Sequence, residues 1–295
     1  MTFRNNIFLA LVILCLAALP SLGQVDSVIA QLSNSSFESF AGSISGDGRF
    51  VAFESKGDIA TVNPRNADHN NEIFILDYAQ RRIFQITNTR SVLTDPSQTG
   101  AENFTNVRVE ITNVRPVISN DGRVIAFGSN ATTSRPAAPD STNPGSFDGN
   151  AFTAPTPTPT VSPSPTPGAN PLTQDGNLEM WLYILPPVAP VADLSLGDEQ
   201  PLTDLAGGTF VRLTNTDPSQ LPRAGSASNA PVVADDNHDA SVSDDGNVIA
   251  FVSNRDLVPA VGNPFPSEDN DEIFTYVRSA GALAQVTKTP RGVVS

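Results

Sequence analysis

The feature that most constrains the fold of this chain is one pattern that occurs three times along it. The copies lie at Ser43–Asp58, Val117–Thr132 and Ser241–Asp256, and each contains an Asp-Gly pair followed by a run of apolar residues. A recurring pattern predicts a recurring structural unit, because each copy folds alike and buries its apolar face against a neighbour. We therefore expect an array of similar units.

Two further landmarks follow the Asp-Gly pair in the same order in every copy. The first is a glutamate that precedes apolar and aromatic residues, and the second is a short segment that ends in a threonine. The spacings agree closely in the first and third copies, whereas the second copy carries insertions of about 33 and 20 residues. The landmarks are Glu72, Glu179 and Glu272, then Thr87, Thr214 and Thr287.

Each copy predicts four short β-strands. An Asp-Gly pair favours a tight turn between the first two strands, because glycine accepts a positive φ and aspartate tolerates it. The second strand is almost continuously apolar, which is typical of a strand buried on both faces. A recurring four-stranded antiparallel sheet is typical of a β-propeller blade. The turn residues are Asp47 and Gly48, Asp121 and Gly122, and Asp245 and Gly246.

The sequence therefore predicts an all-β protein built from four-stranded antiparallel propeller blades. Three blades are visible, at about residues 41–88, 115–215 and 239–288. Typical propellers have about four to eight blades, so three blades are too few to close a ring. We expect an incomplete propeller or part of a larger ring, and the strand-like segment Val28–Ser33 precedes the first blade. A homodimer that completes a six-bladed ring and an open stack of blades are the alternatives.

The motifs resemble the WD40-like PD40 repeat, which is the blade unit of TolB-like propellers. The resemblance is carried by the order SxSxDGRxIAFxS, EIFxxD and QIT, and it covers roughly residues 27–290 apart from the insertions. It implies a propeller domain over residues 24–295 that presents loop faces to protein partners in the periplasm.

The N-terminus has the pattern of a secretory signal peptide. Arg4 precedes the apolar run Ile7–Pro20, and small residues follow at Ser21–Gln24. The run is too short for a comfortable membrane span, so we expect cleavage after Gly23 and a periplasmic or secreted protein without a transmembrane segment. A buried strand is the alternative. The only cysteine, Cys15, lies in this run, so the mature chain has no thiol or disulfide.

Charge and composition limit the partners of the chain. The net charge is −14, and an acidic protein repels the phosphates of nucleic acid. Nucleic acid is therefore an unexpected partner.

Residues 134–173 are rich in proline, threonine and serine, and we expect a disordered insertion there. Residues 186–208 form a second loop insertion. Both insertions are expected to be exposed spacers, and docking of the first on a polyproline-binding partner is the alternative.

Calcium is the one cofactor that the sequence suggests. An acid, an asparagine and a glutamate recur at alternating positions before the third strand, and alternating oxygen ligands can wrap a hard cation. The alternative is that these side chains make hydrogen bonds within the turn. The candidate ligands are Asp68, Asn70, Glu72, Asp175, Asn177, Glu179, Glu268, Asn270 and Glu272.

No catalytic residue is assigned. The sequence has no Gly-x-Ser-x-Gly elbow and no phosphate-binding glycine loop, and its two histidines make a zinc enzyme improbable. The acids around His238 suggest a polar loop more strongly than a metal site. We expect a non-enzymatic scaffold in the cell envelope that binds a protein or peptide. The alternatives are the substrate-gating propeller of a prolyl-oligopeptidase-like hydrolase, or a surface module that binds carbohydrate through Trp181 or calcium.

Overall fold

A computed structural model describes residues 31–89, 92–94, 108–131, 133–135, 146–149, 177–186, 202, 205, 208–216, 218–219, 233–263 and 270–290. Contacts divide the chain into two units, Met1–Asn34 and Ser35–Ser295. In the first unit, residues 31–34 are described and form no strand, and the predicted signal peptide lies outside the described residues. The described residues contain no helix that could cross a membrane.

The first blade is an antiparallel sheet of four strands in sequential order. It consists of β1 (Ser39–Ile44), β2 (Phe50–Ser55), β3 (Glu72–Asp77) and β4 (Arg82–Gln85). A short hairpin of β5 (Val92–Thr94) and β6 (Arg108–Glu110) follows it.

The second blade repeats this sheet and contains the insertions. Its four strands are β7 (Asn113–Ile118), β8 (Val124–Ser129), β11 (Glu179–Ile184) and β12 (Thr209–Arg212). A two-stranded ribbon of β9 (Thr133–Arg135) and β10 (Ser146–Gly149) lies between β8 and β11. The rest of the segment predicted to be disordered, and most of residues 186–208, lie outside the described residues.

The third blade has the same order, with β13 (Asn237–Val242), β14 (Val248–Ser253), β15 (Glu272–Val277) and β16 (Ala282–Gln285). The prediction of an all-β chain of four-stranded antiparallel blades is confirmed by these three sheets. They form an open array, because within the described residues no strand of the third blade pairs with the first.

The Asp-Gly pairs lie between the first and second strands of each blade. In the first blade the Ser45 hydroxyl donates to Asp47 Oδ1 at 2.6 Å, and the Arg49 amide donates to the same oxygen at 3.0 Å. Gly48 has a φ of 76°, in the left-handed region that favours glycine. The same serine-to-aspartate bond occurs at Ser119 in the second blade, and the third blade repeats it between Ser243 and Asp245 at 2.7 Å.

Successive blades pack face to face through two apolar clusters. Alternate residues of a strand point to opposite faces of its sheet. The inner strands of the second blade therefore contribute to both clusters, and those of the first and third blades contribute to one each. The first cluster joins Phe50, Ala52, Ile73 and Ile75 of the first blade to Ile125, Phe127, Trp181 and Tyr183 of the second. The second cluster joins Val124, Ala126, Met180 and Leu182 to Ile249, Phe251 and Phe274 of the third blade.

Gly42 in β1 lies directly against Pro116 in β7 of the second blade. A Cβ atom at this position would lie 2.1 Å from the Pro116 carbonyl oxygen and 2.9 Å from the Ala52 carbonyl oxygen. Both neighbours are backbone atoms, so neither can rotate away.

Gly42→Ala is therefore expected to lower the free energy of unfolding by about 1–3 kcal/mol, as overpacking does. Urea denaturation at pH 7 measures the change. The neighbouring Ala41→Ser is the control, because Ala41 is exposed and its replacement should change stability by less than about 0.5 kcal/mol. An equal stability of the two variants would contradict the close packing of β1 on β7.

Candidate functional site

The glutamate that begins the third strand of the first blade is buried at the contact with the second blade. Glu72 Oε1 accepts hydrogen bonds from the Thr89 amide at 2.5 Å and the Thr89 hydroxyl at 2.7 Å. Its other oxygen, Oε2, accepts from Asn113 Nδ2 of the second blade at 3.0 Å. Asn113 Nδ2 also donates to the Asn71 carbonyl oxygen at 2.9 Å. One side-chain amide therefore joins two blades through a carboxylate and a backbone carbonyl.

The same arrangement occurs where the second blade meets the third. Glu179 Oε1 accepts from the Thr216 amide at 2.6 Å, and Thr214 donates its hydroxyl to Oε2. Asn237 Nδ2 of the third blade donates to Glu179 Oε2 at 3.2 Å and to the Leu178 carbonyl oxygen at 2.9 Å. We call each set of a glutamate, its threonines and the asparagine of the next blade a junction.

The third blade has the first half of a junction only. Glu272 Oε1 accepts from the amide and hydroxyl of Thr289 at 2.6 and 2.7 Å, and from Asn270 Nδ2 at 2.7 Å. No asparagine amide of a further blade donates to its Oε2 among the described residues, and Glu272 is nevertheless only 2% exposed. This is the oxygen that receives the asparagine amide in the other two blades.

The asparagines of the two complete junctions were not singled out in the sequence. Asn113 and Asn237 are the first residues of β7 and β13, and serines of the neighbouring strand hold their amides. Ser129 donates to Asn113 Oδ1 at 2.7 Å, and Ser253 donates to Asn237 Oδ1 at 2.8 Å. An asparagine eight residues before the Asp-Gly pair is the signal that was available. The equivalent residue of the first blade is Ser39.

Coverage by a neighbouring blade changes the acidity of the junction glutamates. Desolvation raises the pKa of Glu72 to about 7, against the hydrogen bonds from Thr87 and Thr89 that favour the carboxylate. Desolvation also raises the pKa of Glu179. For Glu272 desolvation acts in the same direction, but no second blade covers it, and the hydrogen bonds from Thr287, Thr289 and Asn270 lower its pKa to about 2.

The structure brings some of the predicted calcium ligands together and separates others. Asn70 and Glu72 both contact Thr89, whereas Asp68 is exposed. In the second blade Asn177 Nδ2 donates to the Thr216 hydroxyl at 2.8 Å, beside Glu179. Asp175 and Glu268 lie outside the described residues. Within the part of the chain that is described, no three acidic, histidine or cysteine side chains form a group that could hold a metal. Calcium binding at these turns stays a prediction.

A second polar cluster joins β2 of the first blade to the first strands of the second and third blades. Arg115 in β7 and Asp239 in β13 occupy equivalent positions with φ values of 54° and 51°, where the strand registers shift. The Arg115 amide donates to Glu54 Oε2 at 2.5 Å, and its guanidinium donates to Asp235 at 2.5 Å and Asp239 at 3.4 Å. These groups are partly exposed, so each ion pair contributes at most about 1 kcal/mol to stability.

A narrow surface crevice lies beside this cluster, and Val114, Leu178 and His238 are among its lining residues. His238 Nδ1 is 3.0 Å from Asp239 Oδ2, and its Nε2 is 3.9 Å from Asp271 Oδ1. The hydrogen bond from His238 is the main cause that lowers the pKa of Asp239.

The histidines do not form a catalytic triad with the described serines. His69 stacks on Phe37 with ring centroids 3.9 Å apart, and its Nδ1 lies 3.1 Å from the Lys56 carbonyl oxygen. The ring nitrogens of His238 face the carboxylates of Asp239 and Asp271. Trp181, the residue considered for sugar stacking, is buried in the cluster between the first two blades.

Comparisons with known proteins found solved structures whose similarity to this chain is low. No family model matches the sequence, and no curated protein matches it. A tricorn protease structure matches with a TM-score of 0.34 and 14% identity, over 82% of this chain and 18% of the protease. TolB from Acinetobacter baumannii matches with a TM-score of 0.28 and 14% identity, over 89% of this chain and 46% of TolB. The chain thus spans less than half the length of either protein.

The burial of Glu72 generates a prediction for the pH dependence of stability. Its pKa is about 7 in the folded protein and near 4.5 in the unfolded chain. The folded state therefore binds more protons at Glu72 between these values, so the contribution of Glu72 to stability is greatest below pH 4.5 and falls as pH rises towards 7, by an amount on the order of 3 kcal/mol. Glu72→Gln should flatten this fall in urea denaturation at pH 5, 6 and 7.

Glu272→Gln is the matched control for this measurement. The folded-state pKa of Glu272 is about 2, so its stabilising effect is present above pH 4.5 and is lost as pH falls towards 2. Its replacement should leave the slope between pH 5 and 7 unchanged. An unchanged slope in Glu72→Gln, or an equal flattening in both variants, would contradict the different coverage of the two glutamates.

Proposed function

We propose that this chain is an exported, non-enzymatic scaffold of the cell envelope that binds a protein partner through the free face of its third blade. The observation that carries the proposal is the exposure on this face of side chains whose counterparts are buried in the first two blades. Ile273 is 43% exposed, whereas the equivalent Ile73 is 0% exposed and Met180 is 1% exposed. Val286 is 59% exposed, whereas Ile86 is 0% exposed.

The exposed side chains belong to one face of one sheet. Residues with the same strand position in the first blade, Phe50, Ile73 and Ile86, lie in the apolar cluster beneath the second blade. Their counterparts in the third blade are Val248, Ile273 and Val286, and all three are exposed. Ile273 and Val286 lie side by side, since the Val286 amide donates to the Ile273 carbonyl oxygen at 2.7 Å. Exposed apolar side chains on a sheet face are typical of a protein–protein contact site, because burying them removes apolar surface from water.

Several features support a binding role over catalysis and over other partners. The polar side chains of the junctions bond to one another and hold the blades together. The net charge of −14 disfavours nucleic acid. The N-terminal pattern of residues 1–23 supports export, so the partner is expected in the periplasm or outside the cell.

Affinity purification from the envelope fraction of the source organism tests the proposal. The tagged wild-type chain is expected to retain one protein in near-stoichiometric amount. Ile273→Lys should lose it, because a charge would be buried in the contact. Tyr78→Lys is the matched control, since Tyr78 is an exposed aromatic residue in the β3–β4 turn of another blade, and it should retain the partner. Absence of any stoichiometric partner, or retention by Ile273→Lys, would refute binding through this face.

A further inference from the structure

We infer that Leu202, Leu205 and Gly208 of the second insertion form a clasp between the first two blades, at the edge that carries their fourth strands, and that the blades separate at this edge only when the clasp is released. The inference does not depend on the proposed function. Its basis is the burial of two leucines in an insertion that the sequence predicts to be an exposed spacer. Leu202 is 3% exposed and Leu205 is 2% exposed.

The clasp belongs to a connection that is long in the second blade only. In the first and third blades, short turns at residues 78–81 and 278–281 join the third strand to the fourth. In the second blade, residues 185–208 lie between β11 and β12. Both leucines of this connection belong to the apolar cluster that joins the first two blades. The insertion therefore supplies part of the core.

The second blade holds the clasp through Tyr183 of β11. Tyr183 is fully buried, and its hydroxyl donates to the Leu205 carbonyl oxygen at 3.3 Å. The Gly208 amide donates to the same oxygen at 3.1 Å. Gly208 lies so close to the tyrosine that a Cβ atom there would be 2.1 Å from Tyr183 Oη. A glycine at this position therefore allows the backbone to lie directly against the tyrosine.

The first blade holds the clasp through Arg82, the first residue of β4. Arg82 Nη1 donates to the Leu202 carbonyl oxygen at 3.4 Å. The guanidinium carbon lies 5.2 Å from the centre of the Phe84 ring, and this cation–π contact orients the arginine. Phe84 belongs to the same apolar cluster as both leucines. The clasp thus bonds to one side chain from each blade, and its leucines pack in the cluster that the two blades share.

The clasp and the first junction lie at opposite ends of β3. Glu72 of the junction begins this strand, and Asp77, which ends it, pairs with Arg82. At the same end as the clasp, the first strands of the two blades are joined where the Gly46 amide donates to the Asn120 carbonyl oxygen at 2.9 Å. The clasp adds a fastening at the opposite edge of the sheets, beside β4.

The clasp can detach without disrupting a sheet. Arg82 and Tyr183 reach it through their side chains, and both hydrogen bonds are longer than is typical. Among the described residues no backbone hydrogen bond joins Leu202 or Leu205 to a strand of either blade. The two leucines therefore supply most of its stabilisation, because their burial removes apolar surface from water. Polar replacements of the leucines should release the clasp and leave the sheets formed.

Acrylamide quenching of fluorescence in the full chain tests the inference, since Trp181 is the only tryptophan and is buried in the same cluster. In a Leu202→Ser/Leu205→Ser variant without denaturant, the quenching constant should rise about two-fold or more, because local opening admits acrylamide, while the β-sheet circular dichroism is retained. Leu283→Ser is the matched control, because Leu283 packs in the cluster between the second and third blades, and it should leave the quenching unchanged. No rise in the double variant, or an equal rise in the control, would overturn the inference.

Arg82→Met is an independent test that leaves both leucines in place. It should raise the quenching of Trp181 in the otherwise wild-type chain, because the hydrogen bond to Leu202 is lost. In the chain that carries the two serines it should have no further effect, and an equal effect in both chains would show that Arg82 acts independently of the clasp. If the serine variant unfolds, Arg82→Met decides alone. Raised quenching with retained circular dichroism would support the clasp, and unchanged quenching would overturn it.

Discussion

The hydrogen bonds between a buried glutamate of one blade and an asparagine of the next fix how the blades of this protein stack. Apolar contacts such as those of Phe127 and Phe251 supply most of the surface that is removed from water, but they are tolerant of sliding. An amide that must meet a carboxylate oxygen and a carbonyl oxygen together has one position. The junctions of Asn113 and Asn237 therefore set the register between neighbouring sheets.

Placing a carboxylate between two sheets has an electrostatic cost, and the protein reduces it in two ways. Threonine hydroxyls and backbone amides surround Glu72 and Glu179 with donors, and the pKa of both groups is raised, so that Glu72 is half protonated near neutral pH. Glu272 has the same donors from its own blade but lacks the neighbouring sheet, and it remains ionised.

The sequence predicted the architecture well because its signals are local. The Asp-Gly turns, such as Asp121 and Gly122, and the apolar second strands lie within ten residues of one another. Only the glutamate of each junction could be recognised from the sequence. Glu72 was recognised as recurrent, but its partner Asn113 lies 41 residues further along the chain, and no local pattern links them. Asn70 and Glu72 were considered calcium ligands because a junction and a metal turn use the same side chains.

The free face of the third blade could not be predicted from composition or periodicity. Ile273 occupies a strand position that is buried in the other two blades, and Val286 corresponds to the buried Ile86 of the first blade. Only the arrangement of the sheets shows both residues exposed.

The most direct test of this account is a double-mutant cycle at the first junction. The free energies of unfolding of the wild type, Glu72→Ala, Asn113→Ala and the double variant would be measured in urea at pH 8, where Glu72 is mostly ionised. The account predicts a coupling energy of about 1.5–3 kcal/mol, as for a hydrogen bond to a charged group. A coupling energy near zero would show that the glutamate and asparagine act independently, and the junctions would then not determine how the blades stack.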